Sequence, residues 1–403
     1  MDAQLQDRAA QLPDDTTAGY VLNLWTVRRQ MEIWQRELPQ IRPFYAVKAN
    51  STPELVQALL EMGAGADCAS PSEIEMVLKL GARPTDIVYS NTQKHEKGVK
   101  LAETNNVDLT TADSLSELLK IKRLYPETRV LLRITVADAD AQCPMSHKFG
   151  CPPSGWKALL STSQTLELNL VGVHFHAGSG CSNFDAYREA VEDASALFSL
   201  AKDFGFSFSV LDVGGGYPGE FNSPAFVSIA KILRTTIARH PCFDHAHLVA
   251  EPGRFFCCAS QVLAARVIGV KGVECALPDF VPRALDPYPS LSPADLDILA
   301  ESNVKLQYFL NTSVYGMLSS MIYDHVDPEL VVPSQPGQPL LDSIVFGHSC
   351  DGIDVIKETV KLPPLKYGDL VFIPNVGAYT QVSASSFNGF HARRPLVVDV
   401  SLD

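Results

Sequence analysis

The sequence predicts an α/β chain: a (β/α)8 TIM-like barrel followed by a C-terminal all-β domain of sandwich or barrel type. Three observations carry that prediction. Between residues 41 and 251, eight short apolar runs alternate with stretches of helical period. Chemically reactive and glycine-rich residue types recur at the C-terminal ends of those runs, where barrels of this kind keep their chemistry. After about residue 260 the helical period fades, and β-branched and aromatic runs separated by turn residues replace it. A length of 403 residues suits two domains, read as 25–260 and 261–403, with residues 1–24 joining the second.

In order, the expected strands are PFYAVKA (43–49), GADCAS (65–70), DIVYSN (86–91), VDLTT (107–111), RVLLRIT (129–135), LVGVHFH (170–176), FSVLDVGGG (208–216) and HLVAEPG (247–253). The segments between them read as helices. TPELVQALLEMG spaces its apolar residues three and four apart, and PSEIEMVLKLG opens on Pro-Ser and closes on Gly. YREAVEDASALFSLAKDFG is amphipathic at the same period. Six or seven such repeats would suit an open doubly wound sheet; eight suit a closed barrel. In the second domain the strand candidates are QVLAARVIGVKG, LQYFLNT, SIVFG, DLVFIPN and LVVDVS. Turns are expected at 333–339 and 367–369, and an exposed Pro- and Asp-rich connection at 276–297.

Composition narrows the class. Hydrophobic residues at 46% and charged residues at 20% give a soluble globular balance, and no apolar run is long enough to cross a bilayer. A net charge of −13 argues against a nucleic-acid partner, which needs clustered Lys and Arg, and is compatible with a cationic small substrate. The N-terminus lacks the basic and then apolar pattern of a secretory signal. Nine cysteines without C-x-x-C spacing suit free thiols in a reducing compartment. A cytoplasmic location is expected.

The strand ends bring unlike groups to one rim: Lys48, Asp67, Arg133, His176, Gly214, Gly215 and Gly216, then Glu251 with Gly253 and Arg254. A lysine at the end of an apolar strand usually snorkels to solvent. In this company it also suits covalent attachment of an electron-sink cofactor. Three successive glycines can form a tight turn or leave backbone N–H groups open to a phosphate. Glu251 and Arg254 can be a local ion pair or two separate ligands. The pairs His174/His176 and His245/His247 have strand spacing, but no third ligand follows at recognisable distance, so no metal site is expected. His174 is read as a packing residue. In the second domain, FGHSCDGID (346–354) sets a cysteine beside an aspartate, and a thiol there could serve as a proton donor.

Taken together, PFYAVKAN, DCAS, LRI, HKFG, VHFHAGSGC, LDVGGGYPG, AEPGR, YDH, FGHSCDGID and GAYT resemble the eukaryotic-type ornithine decarboxylases, in order, from about residue 40 to about residue 395. Those are fold-type III enzymes with an alanine-racemase-like barrel and a β domain. The resemblance implies pyridoxal 5'-phosphate bound covalently to Lys48, Glu251 paired with its ring nitrogen, and His176 stacked on its ring. It implies phosphate contacts from Ser179, Gly214, Gly215, Gly216, Gly253, Arg254 and Tyr379, with Asp67 and Arg133 around the lysine. Cys350 would protonate the α-carbon after CO2 leaves. Tyr323, Asp324 and Asp351 would bind the substrate's distal ammonium. In the family Cys350 and Asp351 come from a neighbouring subunit, so a head-to-tail homodimer sharing its active sites is implied.

The expected reaction is therefore L-ornithine to putrescine and CO2, a step of polyamine biosynthesis. The C-D-G-I-D motif, with Asp351 where diaminopimelate decarboxylases carry Glu, points to a diamine amino acid lacking a second carboxylate. Two departures stand out: His348-Ser349 where the family shows Pro-Thr, and N-T-S-V-Y-G-M-L-S (311–319) where it shows N-D-G-V-Y-G-S-F-N. Lysine is one methylene longer than ornithine and a methylene discriminates by only ~1–3 kcal/mol, so a lysine or dual lysine/ornithine decarboxylase is the alternative. Arginine and diaminopimelate enzymes and a racemase are disfavoured. A catalytically inactive, antizyme-inhibitor-like regulatory protein is the reading from another class. It is opposed by the presence of Lys48, Asp67, Arg133, Arg254, Tyr379, Cys350 and Asp351. The long C-terminal extension of the animal enzymes is absent from the sequence, so antizyme-driven turnover is not expected.

Overall fold

A computed structural model describes residues 3–13, 16–277, 292–302, 304–333 and 338–402. The chain divides into two compact units, Thr26–Cys258 and Met1–Trp25 with Ala259–Asp403. Strand β1 is Gly19–Asn23. It is followed by β2 (Arg42–Ala46), β3 (Gly65–Cys68), β4 (Ile87–Tyr89), β5 (Leu109–Ala112), β6 (Arg129–Arg133), β7 (Asn169–His174), β8 (Val210–Asp212) and β9 (His247–Ala250). These eight, β2 to β9, pair in parallel and close into a barrel, each overlapping one of the eight runs expected.

The barrel's lower interior is filled by Phe44, Val88, Leu109, Leu131, Val171, Val210 and Val249, one from every strand except β3. Strand β3 instead offers Gly65, where an added Cβ would fall 2.4 Å from the Phe44 ring. Each such buried side chain contributes about 1.5–3 kcal/mol, so the lower barrel is a packed support for the rim above it. Outside, helices such as Pro71–Lys79 begin where the sequence signals say they should: Ser70 accepts a hydrogen bond from the Glu73 N–H, and Pro71 holds the first turn. The helix Leu24–Glu37 is anchored by Trp34, which lies within 5.2–5.9 Å of the rings of Tyr217, Phe226, Phe255 and Phe256.

The second unit adds β10 (Gln261–Lys271), β11 (Leu306–Leu310), β12 (Leu341–Phe346), β13 (Val355–Leu362), β14 (Leu370–Ile373) and β15 (Leu396–Val398). They form a mixed sheet in the order β13-β12-β11-β10-β1-β15, with β14 also on β10. Strand β10 can serve several partners because it is 11 residues long and breaks register between Val267 and Gly269. Tyr20, Leu263, Val267, Tyr308 and Leu310 are among its buried core.

Sequence patterning missed two strands here. GYVLN (β1) is short and precedes any repeat. VIKETVKL (β13) alternates with lysine and glutamate because only one face is covered. The unit is also less purely β than expected: Ala3–Ala10 and Pro293–Glu301 are helices. The latter, opened by a Ser292–Asp295 capping box, occupies part of the segment read as an exposed connection. Residues 278–291 of that connection, and most of the 333–339 turn, lie outside the described residues. Among the described residues no helix is long and apolar enough to cross a membrane.

Candidate active site

Parallel strands of a closed barrel all end on one side, so the last residue of each strand and its successors share a rim. Lys48 stands in the 3-10 turn Val47–Ala49 after β2, Asp67 within β3, Arg133 at the end of β6, and His176 two residues past β7. Gly214 to Gly216 follow β8, Glu251 directly follows β9, and Gly253 caps the short helix Arg254–Cys257. Ser179 lies in the loop after His176, where its carbonyl accepts from the Cys143 N–H at 3.0 Å.

The rim gathers buried charges around a partly exposed Lys48. Lys48 Nζ lies 3.7 Å from Asp67 Oδ2, and the hydroxyl of Ser90 donates to Asp67 Oδ1. Burial, reinforced by the negative charge of Glu251, pushes the Asp67 carboxyl up to about 7 against the pull of Lys48. Glu251 behaves differently. Burial alone would raise it, but His174 and the nearby cations Lys48 and Arg133 hold it below the usual carboxylate range. It is the rim's permanent anion. Burial keeps His176 far below the usual imidazole range, so its ring is neutral, with Nδ1 accepting the Gly178 N–H at 3.0 Å. Arg133 is buried, sits 4.7 Å from the Phe149 ring centroid, and makes no ion pair within 4 Å among the described residues.

The glycine turn is required by close approach. Gly214 has φ of +60°, and a Cβ there would lie 1.9 Å from the Phe175 carbonyl oxygen. A Cβ on Gly215 would lie 2.8 Å from His176 Nε2. The N–H groups of Gly215, Gly216 and Gly253 find no acceptor among the described residues, which suits an anionic group laid against them.

One expectation is overturned. His174 is not mere packing: its Nε2 lies 3.0 Å from Glu251 Oε2, and both are buried. Asp212, at the end of β8, completes a cluster whose ligand-type atoms lie within 4.8 Å of one another. Sequence spacing could not reveal this, because the three groups come from three different strands.

The second unit holds the remaining residues. Asp324 is buried, whereas its neighbour Tyr323 is 66% exposed. Tyr379 adopts φ of +55°, an uncommon backbone for a residue with a side chain. Cys350 is exposed and its N–H donates to Asn388 Oδ1 at 2.8 Å. Asp351 Oδ2 accepts from the Tyr315 hydroxyl at 2.8 Å and its Oδ1 from the Ile353 N–H at 3.1 Å. Those bonds, Tyr315's first, lower its carboxyl below the usual range. The loop is built on Asp354, whose carboxylate accepts the N–H groups of Val314 and Ser349 at 3.0 and 2.9 Å. Neither Tyr315 nor Asp354 had been given a role from sequence, although both lie inside motifs that were noticed. His348 stacks on Phe390 with centroids 3.7 Å apart.

Comparison with known proteins decides the family. A model described as "Pyridoxal-dependent decarboxylase, pyridoxal binding domain" matches residues 24–258. The chain belongs to the pyridoxal-dependent decarboxylases. Antizyme inhibitor 2 of Xenopus laevis is 37% identical, over 94% of this chain and 80% of its own length. Ornithine decarboxylase of Rattus norvegicus is 35% identical, over 94% of this chain and 79% of its own. The solved structure of the Paramecium bursaria Chlorella virus arginine decarboxylase bound to agmatine superposes with a TM-score of 0.87 at 30% identity, covering 99% of this chain and 100% of that one. This decarboxylase is thus a carboxy-lyase whose cofactor is pyridoxal phosphate, in a family acting on basic amino acids. The rim fits that cofactor: Glu251 Oε1 is buried without a hydrogen-bond partner, and unclaimed glycine N–H groups suit the phosphate.

Proposed function

We propose that this decarboxylase converts L-ornithine to putrescine and CO2. The observation that carries the reading is the pairing of Cys350 with Asp351, an aspartate kept ionised by Tyr315 and Ile353. A distal ammonium brought out of water needs such a carboxylate, and the run of identity to ornithine decarboxylases supports a five-carbon diamine acid.

Bound pyridoxal phosphate supplies the electron sink that stabilises the α-carbon when CO2 departs. The chain's residues do the rest. Lys48 would hold the cofactor covalently, and Glu251 would accept a hydrogen bond from its protonated ring nitrogen. His176, neutral and buried, would stack on its ring. Ser179, Gly214 to Gly216, Gly253, Arg254 and Tyr379 hold the phosphate. Asp67 and Arg133 set the field around Lys48. Asp324 and Asp351, with Tyr323, bind the distal ammonium. The Cys350 thiol delivers a proton to the α-carbon, and its exposure suits a group meeting substrate carried on another subunit. We include a homodimer with shared sites in this reading. A cytoplasmic location is supported by nine free cysteines.

The relative rates of CO2 release from L-ornithine, L-lysine, L-arginine and meso-diaminopimelate test the proposal. Ornithine should have the largest kcat/KM. A preference for lysine would replace it with the longer substrate and direct attention to the His348–Phe390 stack beside the Cys350 loop. The match to an antizyme inhibitor favours one other reading, a regulatory protein without turnover; absence of CO2 release on all four amino acids would select it.

A further inference from the structure

Three buried acid–base groups sit together at the rim on consecutive barrel strands: His174 ends β7, Asp212 ends β8 and Glu251 follows β9. His174 and Asp212 are register partners. The Glu251 N–H donates to the Gly214 carbonyl at 2.7 Å, and the Gly214 N–H donates to Asp212 Oδ1 at 2.8 Å. His174 Nε2 meets Glu251 Oε2 at 3.0 Å. Three polar atoms are left without a partner: His174 Nδ1, Asp212 Oδ2 and Glu251 Oε1.

The protons can be placed from this pattern. Burial lowers the His174 imidazole below its ordinary range, and a carboxylate only accepts, so the neutral ring carries its hydrogen on Nε2 and leaves Nδ1 bare. Two carboxyls this close in a dry site share one proton rather than ionise together. Burial and the charge of Glu251 push Asp212 well above the usual range, whereas Glu251 alone receives the histidine's hydrogen bond. Asp212 is therefore the acid and Glu251 the anion, its Oε2 held by His174.

We propose that His174 is a positioning residue for the cofactor: by holding Oε2 of Glu251 it fixes that carboxylate and keeps the proton shared with the cofactor on the ring nitrogen. This rests on the reading that Glu251 meets that nitrogen. A hydrogen bond to a carboxylate makes it a weaker base, so the proton between Glu251 and the ring lies on the ring side. Without His174 the carboxylate regains basicity and rotational freedom.

The test is the 15N chemical shift of pyridoxal phosphate labelled at its ring nitrogen, bound to the holoenzyme, together with the cofactor dissociation constant. In the unmodified protein the nitrogen should be protonated. His174→Leu should move the signal toward the unprotonated position and weaken cofactor binding on the order of 10-fold, as expected for loss of a hydrogen bond to a charged group. His174→Gln, which keeps an N–H donor, should stay near the parent value. If the leucine variant does not fold, His174→Ser, whose hydroxyl is too short to reach Oε2, replaces it. Glu251→Gln separates the two ideas. If it deprotonates the nitrogen while His174→Leu leaves the shift unchanged, the role of His174 is refuted. If Glu251→Gln leaves the nitrogen protonated, the reading of Glu251 itself fails.

Discussion

Replacing Asp67 by asparagine should remove one pH dependence that the barrel carries in its cofactor-free form. Asp67 is 2% exposed. Burial and the nearby Glu251 anion raise its carboxyl from an ordinary 3.8 to about 7. The folded protein therefore holds this proton more tightly than the unfolded chain does. Its contribution to stability is complete below about pH 4 and is lost as pH rises through about 7. Each pH unit of that interval corresponds to about 1.4 kcal/mol, so the group costs the folded state ~4 kcal/mol between acid and alkaline conditions. An asparagine keeps the size and an acceptor for Ser90 but cannot ionise. Chemical unfolding of the cofactor-free parent and Asp67→Asn proteins at pH 5 and pH 8 measures the difference. The variant should gain on the parent by roughly 2–3 kcal/mol from the lower to the higher pH. Parallel pH profiles would refute the reasoning, because they would mean that Asp67 is solvated or already neutralised in the folded protein.

Other outcomes follow from the same structure. Lys94 and Glu117 form a fully buried pair at 2.9 Å, and Lys94 Nζ also donates to the Thr111 and Asn91 carbonyls at 2.8 and 3.0 Å. Lys94→Met should destabilise the barrel by about 1–3 kcal/mol in urea unfolding, since it takes one buried hydrogen-bonded cation from Glu117 and leaves Lys120 as the other; a loss below ~0.5 kcal/mol would show that water reaches Glu117. Cys350→Ala should keep the visible absorbance of bound cofactor while losing most amine production, with some mis-protonated product; an unchanged rate and product would remove Cys350 from the reaction. Mixing the Lys48→Ala and Cys350→Ala proteins should restore part of the activity if subunits share sites, and no recovery would count against sharing.

Much of the site was legible in the sequence because a parallel barrel converts chain order into geometry. Once β2 to β9 are recognised, Lys48, Arg133, His176 and Glu251 must gather at one end, whatever lies between them. What chain order does not encode is contact across strands. The His174–Glu251 bond joins residues 77 apart, and Asp212 looked like one more letter of a glycine motif. Tyr315 and Asp351 stand 36 apart, and the segment holding Tyr315 was noticed only for its departures. Strands β1 and β13 were missed for a simpler reason. One is too short to show a period, and the other spends alternate positions on solvent, so neither offers the apolar run by which buried strands are found.

The central claim is that Lys48 carries the cofactor at the rim of this barrel. Reductive trapping with borohydride after incubation with pyridoxal phosphate, followed by mass analysis of the digested protein, tests it most directly. A pyridoxyl-phosphate adduct on the Lys48 peptide, lost in Lys48→Ala, is the predicted result. An adduct on another lysine, or none in the unmodified protein, would contradict the account.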